Sequence, residues 1–199
     1  MYHFDSDKEA RLAELRSQGI DPYPHNITVE NTITEVLETI GDRSKEELET
    51  ESATFSIAGR MMLKRGKGKA GFATVQDRTG SIQIYVRKND IGEDSFNAWK
   101  ATSLGDWIRV EGGVMRTKMG EATLKATSFL LASKCIESMP DKHKGFSDVE
   151  LRSRQRYVDL FVNESSREVF RRRSQIVAHI RRFFEDREFM EVETPMMQI

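Results

Sequence analysis

Arg60, Lys64, Arg65, Lys67 and Lys69 fall within ten consecutive residues that hold no acid, and Gly66 and Gly68 are interleaved with them. A cationic, glycine-rich hairpin can follow a phosphate backbone, because each cation displaces condensed counterions. Taken alone, the same run is an ordinary solvated loop. Further along, Ile82, Ile84 and Val86 alternate with Gln83 and Tyr85. Side chains in a strand alternate between faces, so a core on the Ile–Ile–Val side turns Gln83 and Tyr85 outward. By the same rule Phe72 shares the outer face with Thr74 while Ala73 and Val75 face in, and Glu121 faces out beside the inward Ala122 and Leu124. An outward ring next to an outward amide suits single-stranded base recognition: the ring stacks on a base and the amide reads its edge. Alternation leaves a second reading open, in which Phe72 belongs to the core and Gln83 is merely solvated.

These residues need a scaffold. Residues 5–52 read as helical. A short amphipathic stretch with Ala10, Leu12, Ala13 and Leu15 ends at Gly19 and Asp21-Pro22-Tyr23-Pro24. Thr32 with Glu35, and Ser44 with Glu47, fit the capping box, in which a hydroxyl and a carboxylate satisfy orphan amides. Gly41 is a plausible stop for the first of these helices. From Ala53 the period changes to that of strands. Phe55, Ile57, Met61 and Leu63 form the first, with Gly59 as a candidate bulge. Phe72–Asp77 is the second, and Asp77-Arg78-Thr79-Gly80 is turn chemistry. Ile82–Val86 is the third, a helix covers 90–103, Ile108–Val114 is the fourth, and Ala122–Ala126 is the fifth after a turn at Thr117–Gly120. Three strands, a helix and two strands is the order of an OB-fold, a Greek-key barrel that binds oligonucleotides. The fold class expected is therefore mainly β with α: N-terminal helices over 1–52, a five-stranded barrel over 53–134, a polar linker over 135–160, and a further unit over 161–199. In that last unit a helix from Arg167 aligns Val169, Phe170, Ile176, Val177, Ile180, Phe183 and Phe184 on one side. Arg171–Arg173, Arg181 and Arg182 form its polar side. Phe189–Pro195 reads as a short strand.

Bulk composition narrows the function. Net charge is −1 with 38% hydrophobic and 32% charged residues, so any nucleic-acid surface must come from local segregation of charge. The single cysteine, Cys135, fits a reducing compartment, no signal peptide or membrane span is evident, and a cytoplasmic location is expected. His3, His25, His143 and His179 lack metal-ligand spacing, and no phosphate loop or nucleophile elbow is present.

Several stretches resemble bacterial-type class II lysyl-tRNA synthetases. They are Leu15–Pro24, Gly68–Phe72, Gln76-Asp77 with Gln83–Tyr85, Pro140–His143 with Arg154–Leu160, and Phe189–Pro195, which looks like motif 1 of the class. The aspartyl and asparaginyl relatives share the last of these and the Arg-Tyr-x-Asp-Leu stretch. The resemblance implies that Phe72 stacks on the central anticodon uracil and that Gln83 and Arg65 hydrogen-bond its edge. It implies that Glu121 contacts a neighbouring anticodon base such as the wobble one. Lys64, Lys67 and Lys69 are the candidates for phosphate contacts, and Phe189, Glu191 and Pro195 for a homodimer interface. The partner implied is the tRNA(Lys) anticodon stem-loop. ATP and Mg2+ are implied for the full-length enzyme, which ligates lysine through an aminoacyl-adenylate. Motifs 2 and 3 are missing, so this chain is expected to be truncated, inactive alone, and without catalytic, cofactor or metal sites. A stand-alone single-strand-binding barrel and a non-catalytic dimerisation module remain as alternatives.

Overall fold

A computed structural model describes residues 5–66, 68–140, 146 and 148–197; Lys67, His3, His143 and residues 198–199 lie outside these. The chain divides into two compact units, Met1–Met139 and Pro140–Ile199.

The first unit is a closed barrel of β1 (Phe55–Arg65), β2 (Ala70–Gln76), β3 (Ser81–Arg87), β4 (Trp107–Arg116) and β5 (Ala122–Ser133), in the order β1-β2-β3-β5-β4. β1 pairs with β4 through its first half and with β2 through its second, which closes the ring. All pairings are antiparallel except β3 with β5. The alternation seen in the sequence builds the interior: Ile57, Met61, Val75, Ile84, Val86, Ile108, Val110 and Leu124 are all buried. The bulge in β1 lies at Met62, where Met61 pairs with Val75 and Leu63 with Thr74, and not at Gly59 as expected. Gly59 serves another purpose. A Cβ there would lie 2.6 Å from the Gln76 carbonyl oxygen, so only glycine permits this approach of β1 to β2.

Three helices precede the barrel: α1 (Ser6–Ser17), α2 (Ile33–Ile40) and α3 (Lys45–Glu49). Both expected capping boxes are present. Rather than forming a separate segment, these helices share the barrel's core, burying Leu15, Ile33, Val36, Ile40 and Leu48 in one cluster with the strands. Asp77 accepts from the Ile33 amide at 2.9 Å, and so pins the start of α2 to the β2–β3 turn. The helix expected over 90–103 is two, α4 (Lys88–Ile91) and α5 (Glu93–Ala101), divided at Gly92 with φ 84°. α5 covers one end of the core with Phe96 and Trp99, and the Trp99 ring meets Phe129 edge-on at 5.5 Å. Beneath α1 a fully buried pair closes the unit: Lys134 Nζ donates to Asp106 at 2.8 Å, while Asp106 also accepts from the Ser103 and Cys135 amides. Residues 135–139 belong here too, since Ile136 accepts from Asp5 and Glu137 from Lys8.

The second unit holds α6 (Val149–Arg154), α7 (Arg156–Val162) and α8 (Glu164–Glu185), so all of 149–160 but Gln155 is helical where a linker was expected. Asp159 organises it. The carboxylate is fully buried and accepts from Arg152, Arg156, Asn163 and Ser166, which joins the three helices. Burial opposes its charge, but those donors outweigh burial and hold the carboxyl at about 2. The strand expected over Phe189–Pro195 is not formed. This segment has no ladder partner among the described residues, and a strand is defined by its pairing.

Two predictions follow from the packing. At the β4–β5 irregularity a Cβ on Gly112 would fall 1.9 Å from the Lys125 carbonyl oxygen, whereas one on Gly113 meets nothing within 4 Å. In denaturant unfolding, Gly112→Ala costs about 3 kcal/mol or more, and Gly113→Ala is near neutral. Equal effects would contradict the register described. For Asp159 the folded value lies below the ordinary 3.8, so its stabilisation is complete above that value and is lost as pH falls through about 2. Unfolding followed by circular dichroism from pH 2 to 7 shows this loss for the unaltered chain. Asp159→Asn is less stable at neutral pH and flatter across the acid range.

Candidate nucleic-acid interface

Pairing of β2 with β3 sets Phe72 opposite Tyr85 and Thr74 opposite Gln83. The rings of Phe72 and Tyr85 lie 4.8 Å apart, tilted by 35°, as a half-buried aromatic surface on the outside of the barrel. Next to it, across β1, stands the exposed Arg65, whose Cα pairs with that of Phe72. Phe72 is therefore outside the core cluster.

Gln83 lies on this same outer face but is 6% exposed, so neither the simple outward reading nor the merely solvated one describes it. Its Oε1 accepts from Arg65 Nη2 at 3.2 Å, and its Nε2 donates to Thr123 Oγ1 at 2.9 Å. Thr123 Oγ1 donates in turn to the Glu121 carbonyl oxygen at 3.1 Å. Glu121 sits exposed in the β4–β5 turn, where its amide and carbonyl are both bound by Thr117. Phe72, Gln83, Arg65 and Glu121 are thus gathered on one side of the barrel. Tyr85 and Thr123 join them. Outward alternation gave a signal for Tyr85. Thr123 gave none, because its neighbour across the sheet is forty residues away in sequence.

The basic run divides. Lys69 is exposed at the start of β2, and Lys67 lies outside the described residues. Lys64 turns inward. Its Nζ donates to the carbonyls of Trp99 and Thr102 at 2.6 and 2.8 Å and to Thr102 Oγ1 at 3.0 Å, and it lies 4.6 Å from the Trp99 ring. A cation at the end of α5 satisfies carbonyls that the helix leaves open. Burial, then the neighbouring cations Arg11 and Lys134, pull its pKa to about 8 against the attraction of Asp106. It stays protonated at neutral pH, as its acceptors require. Arg60 donates to the Gly105 carbonyl at 3.0 Å and lies over the Trp107 ring.

In the second unit Phe189 is exposed and meets Phe184 edge-on at 5.4 Å, Glu191 accepts from Arg181 at 3.0 Å, and Pro195 is exposed.

Residues 55–132 match the family model described as OB-fold nucleic acid binding domain, and residues 148–199 match that of class II tRNA synthetases (D, K and N). Among curated proteins the chain is similar to the lysine–tRNA ligase of Bacillus cereus (strain B4264), at 48% identity over 190 residues, 96% of this chain and 38% of that protein. The ligase of Bacillus cytotoxicus (strain DSM 22905 / CIP 110041 / 391-98 / NVH 391-98) is 47% identical with the same coverage. The chain spans 38% of the length of these relatives.

The placement of Phe72 is testable without a ligand. Phe72→Ala removes an aromatic pair from the outside and costs about 1 kcal/mol of stability. Ile84→Ala opens the core and costs about 2–5 kcal/mol. Comparable losses in denaturant titration would return Phe72 to the core.

Proposed function

We propose, from the premise that this chain is a relative of the class II lysine–tRNA ligases, matching an OB-fold nucleic acid binding domain and the class II (D, K and N) region after it, that its barrel binds the anticodon of tRNA(Lys). The observation that carries this reading is the juxtaposition of the Phe72–Tyr85 rings with the Gln83 carboxamide on one outer face. Phe72 supplies a stacking platform for the central base. Gln83 and Arg65 address that base's edge, and Glu121 addresses a neighbouring base from the β4–β5 turn. Lys69, with Lys67, follows the phosphates. Lys64, held by the end of α5, supports the loop and contributes its field.

In the longer protein we place ATP-dependent ligation of lysine to tRNA through an aminoacyl-adenylate, with magnesium. Among the described residues no group of three or more His, Cys, Asp or Glu side chains is arranged to hold a metal ion. We also assign Phe189, Glu191 and Pro195 to a homodimer surface. The exposure of Ile176, Ile180, Phe183 and Phe184 along α8 supports it, since a contiguous apolar face marks an association site. Among the described residues no helix is long and apolar enough to cross a membrane. The single cysteine favours the cytoplasm.

Affinity for a uridine-rich anticodon stem-loop, measured at fixed salt, tests the reading. Phe72→Ala weakens binding by about 1–3 kcal/mol. Gln83→Ala and Glu121→Ala narrow the gap between cognate and altered anticodons, because base edges specify and phosphates position. Lys69→Ala weakens every RNA alike and flattens the log–log salt dependence by about 0.7. A folded Phe72→Ala variant with undiminished affinity would overturn the stacking role. A preference for a different base at either position flanking the central one would assign the chain to the aspartyl or asparaginyl relatives.

A further inference from the structure

Gln83 presents its amide through a chain of hydrogen bonds that begins at a backbone carbonyl. A threonine hydroxyl has one proton. That of Thr123 is committed to the Glu121 carbonyl oxygen at 3.1 Å, and the same carbonyl is held by the Thr117 amide at 3.0 Å. Toward Gln83, therefore, Thr123 Oγ1 can only accept, and it is met by Nε2 at 2.9 Å. At the other end Arg65, which can only donate, takes Oε1 at 3.2 Å. Rotating the carboxamide by a half turn would set oxygen against oxygen at Thr123 and N–H against N–H at Arg65. Arg65 is exposed, whereas Thr123 is fully buried on β5. The polarity of the amide is set chiefly by the buried partner.

Polarity matters for what the amide can read. An amide has two N–H groups and two acceptor lone pairs, and these two contacts use one of each. One donor and one acceptor remain for a base edge. Uracil offers a carbonyl acceptor beside an imino donor, whereas cytosine offers an amino donor beside a ring-nitrogen acceptor. With its polarity fixed, a carboxamide facing a base stacked in one register satisfies only one of these orders. With its polarity free, it satisfies either by turning over.

We infer that Thr123 is a positioning residue for base discrimination: its hydroxyl locks the carboxamide of Gln83 in one orientation, and so sets the preference between uracil and cytosine at the position stacked on Phe72. The inference rests on the anticodon-binding reading above. It also links the two halves of the face, because the locking hydroxyl is itself held by the turn that carries Glu121.

The test uses the whole chain and two stem-loops that differ only in uracil or cytosine at the central anticodon position, with affinities measured at fixed salt. Thr123→Val keeps the side chain's shape and removes the hydroxyl. It reduces the uracil-to-cytosine affinity ratio by about five- to tenfold, as expected for losing one buried polar contact. Thr123→Ser, which keeps the hydroxyl, restores the ratio. The double variant Thr123→Val/Gln83→Ala matches Gln83→Ala alone, because Thr123 acts through Gln83. If Thr123→Val does not fold, Thr123→Ala replaces it with the same expectations. A folded variant with an unchanged ratio, alongside a Gln83→Ala variant whose ratio collapses, overturns the inference and leaves the parent reading standing. A Gln83→Ala variant whose ratio is also unchanged overturns the parent reading itself.

Discussion

Closing five strands into a barrel obliges β5 to run antiparallel to β4 along one edge and parallel to β3 along the other. That parallel contact is short, with only Gln83, Ile84 and Tyr85 facing Thr123, Leu124 and Lys125. Much else depends on it. Ile84 and Leu124 point inward from it and are fully buried. Gln83 and Thr123 point outward from it and bond to each other. One pairing thus seals the core and builds the centre of the proposed recognition face, so that face inherits the rigidity of the sheet.

Side-chain polar groups that leave the surface are answered: among the described residues no buried side-chain nitrogen or oxygen lacks a partner. Asp106 and Lys134 neutralise each other beneath α1, Asp159 is ringed by donors, and Lys64 is taken by the carbonyls at the end of α5. Unpaired charges at these depths would cost several kcal/mol each, so these contacts specify how helices dock on the barrel and on one another. The rim is different. Arg65 and Lys69 are exposed and leave cationic groups directed to solvent, where a polyanion can compete for them, while Glu121 keeps its carboxylate at the edge of the same face.

Local pattern carried most of the barrel. Alternation at Ile82, Ile84 and Val86 separates inside from outside, and the capping residues Thr32 and Ser44 open their helices as read. The outward side of Phe72 and the exposure of Glu121 were legible for the same reason, since each depends only on its own strand or turn. Burial of Gln83 was not. It arises from Arg65 and Thr123, eighteen and forty residues away, which no period of two can reveal. Lys64 reads as part of a basic loop until α5 is folded beside it. Glycines mislead in the same way: Gly59 suggests a bulge, but its role is set by the neighbouring strand, and the extra residue is Met62. Phe189–Pro195 has the composition of a strand, but pairing is a property of two segments.

On the proposed reading, RNA meets the β2–β3 face through groups whose orientation the barrel fixes. Titrating the isotope-labelled chain with a uridine-bearing anticodon stem-loop, while following backbone and side-chain amide resonances, tests it most directly. Saturable shifts are expected at Phe72, Tyr85, Thr123 and Glu121 and at the Gln83 side-chain amide, with Ser56, Arg109 and Glu111 on the β1–β4 side left unmoved. Shifts confined to the arginines of α8, or spread evenly over every exposed cation without touching Gln83, would contradict it.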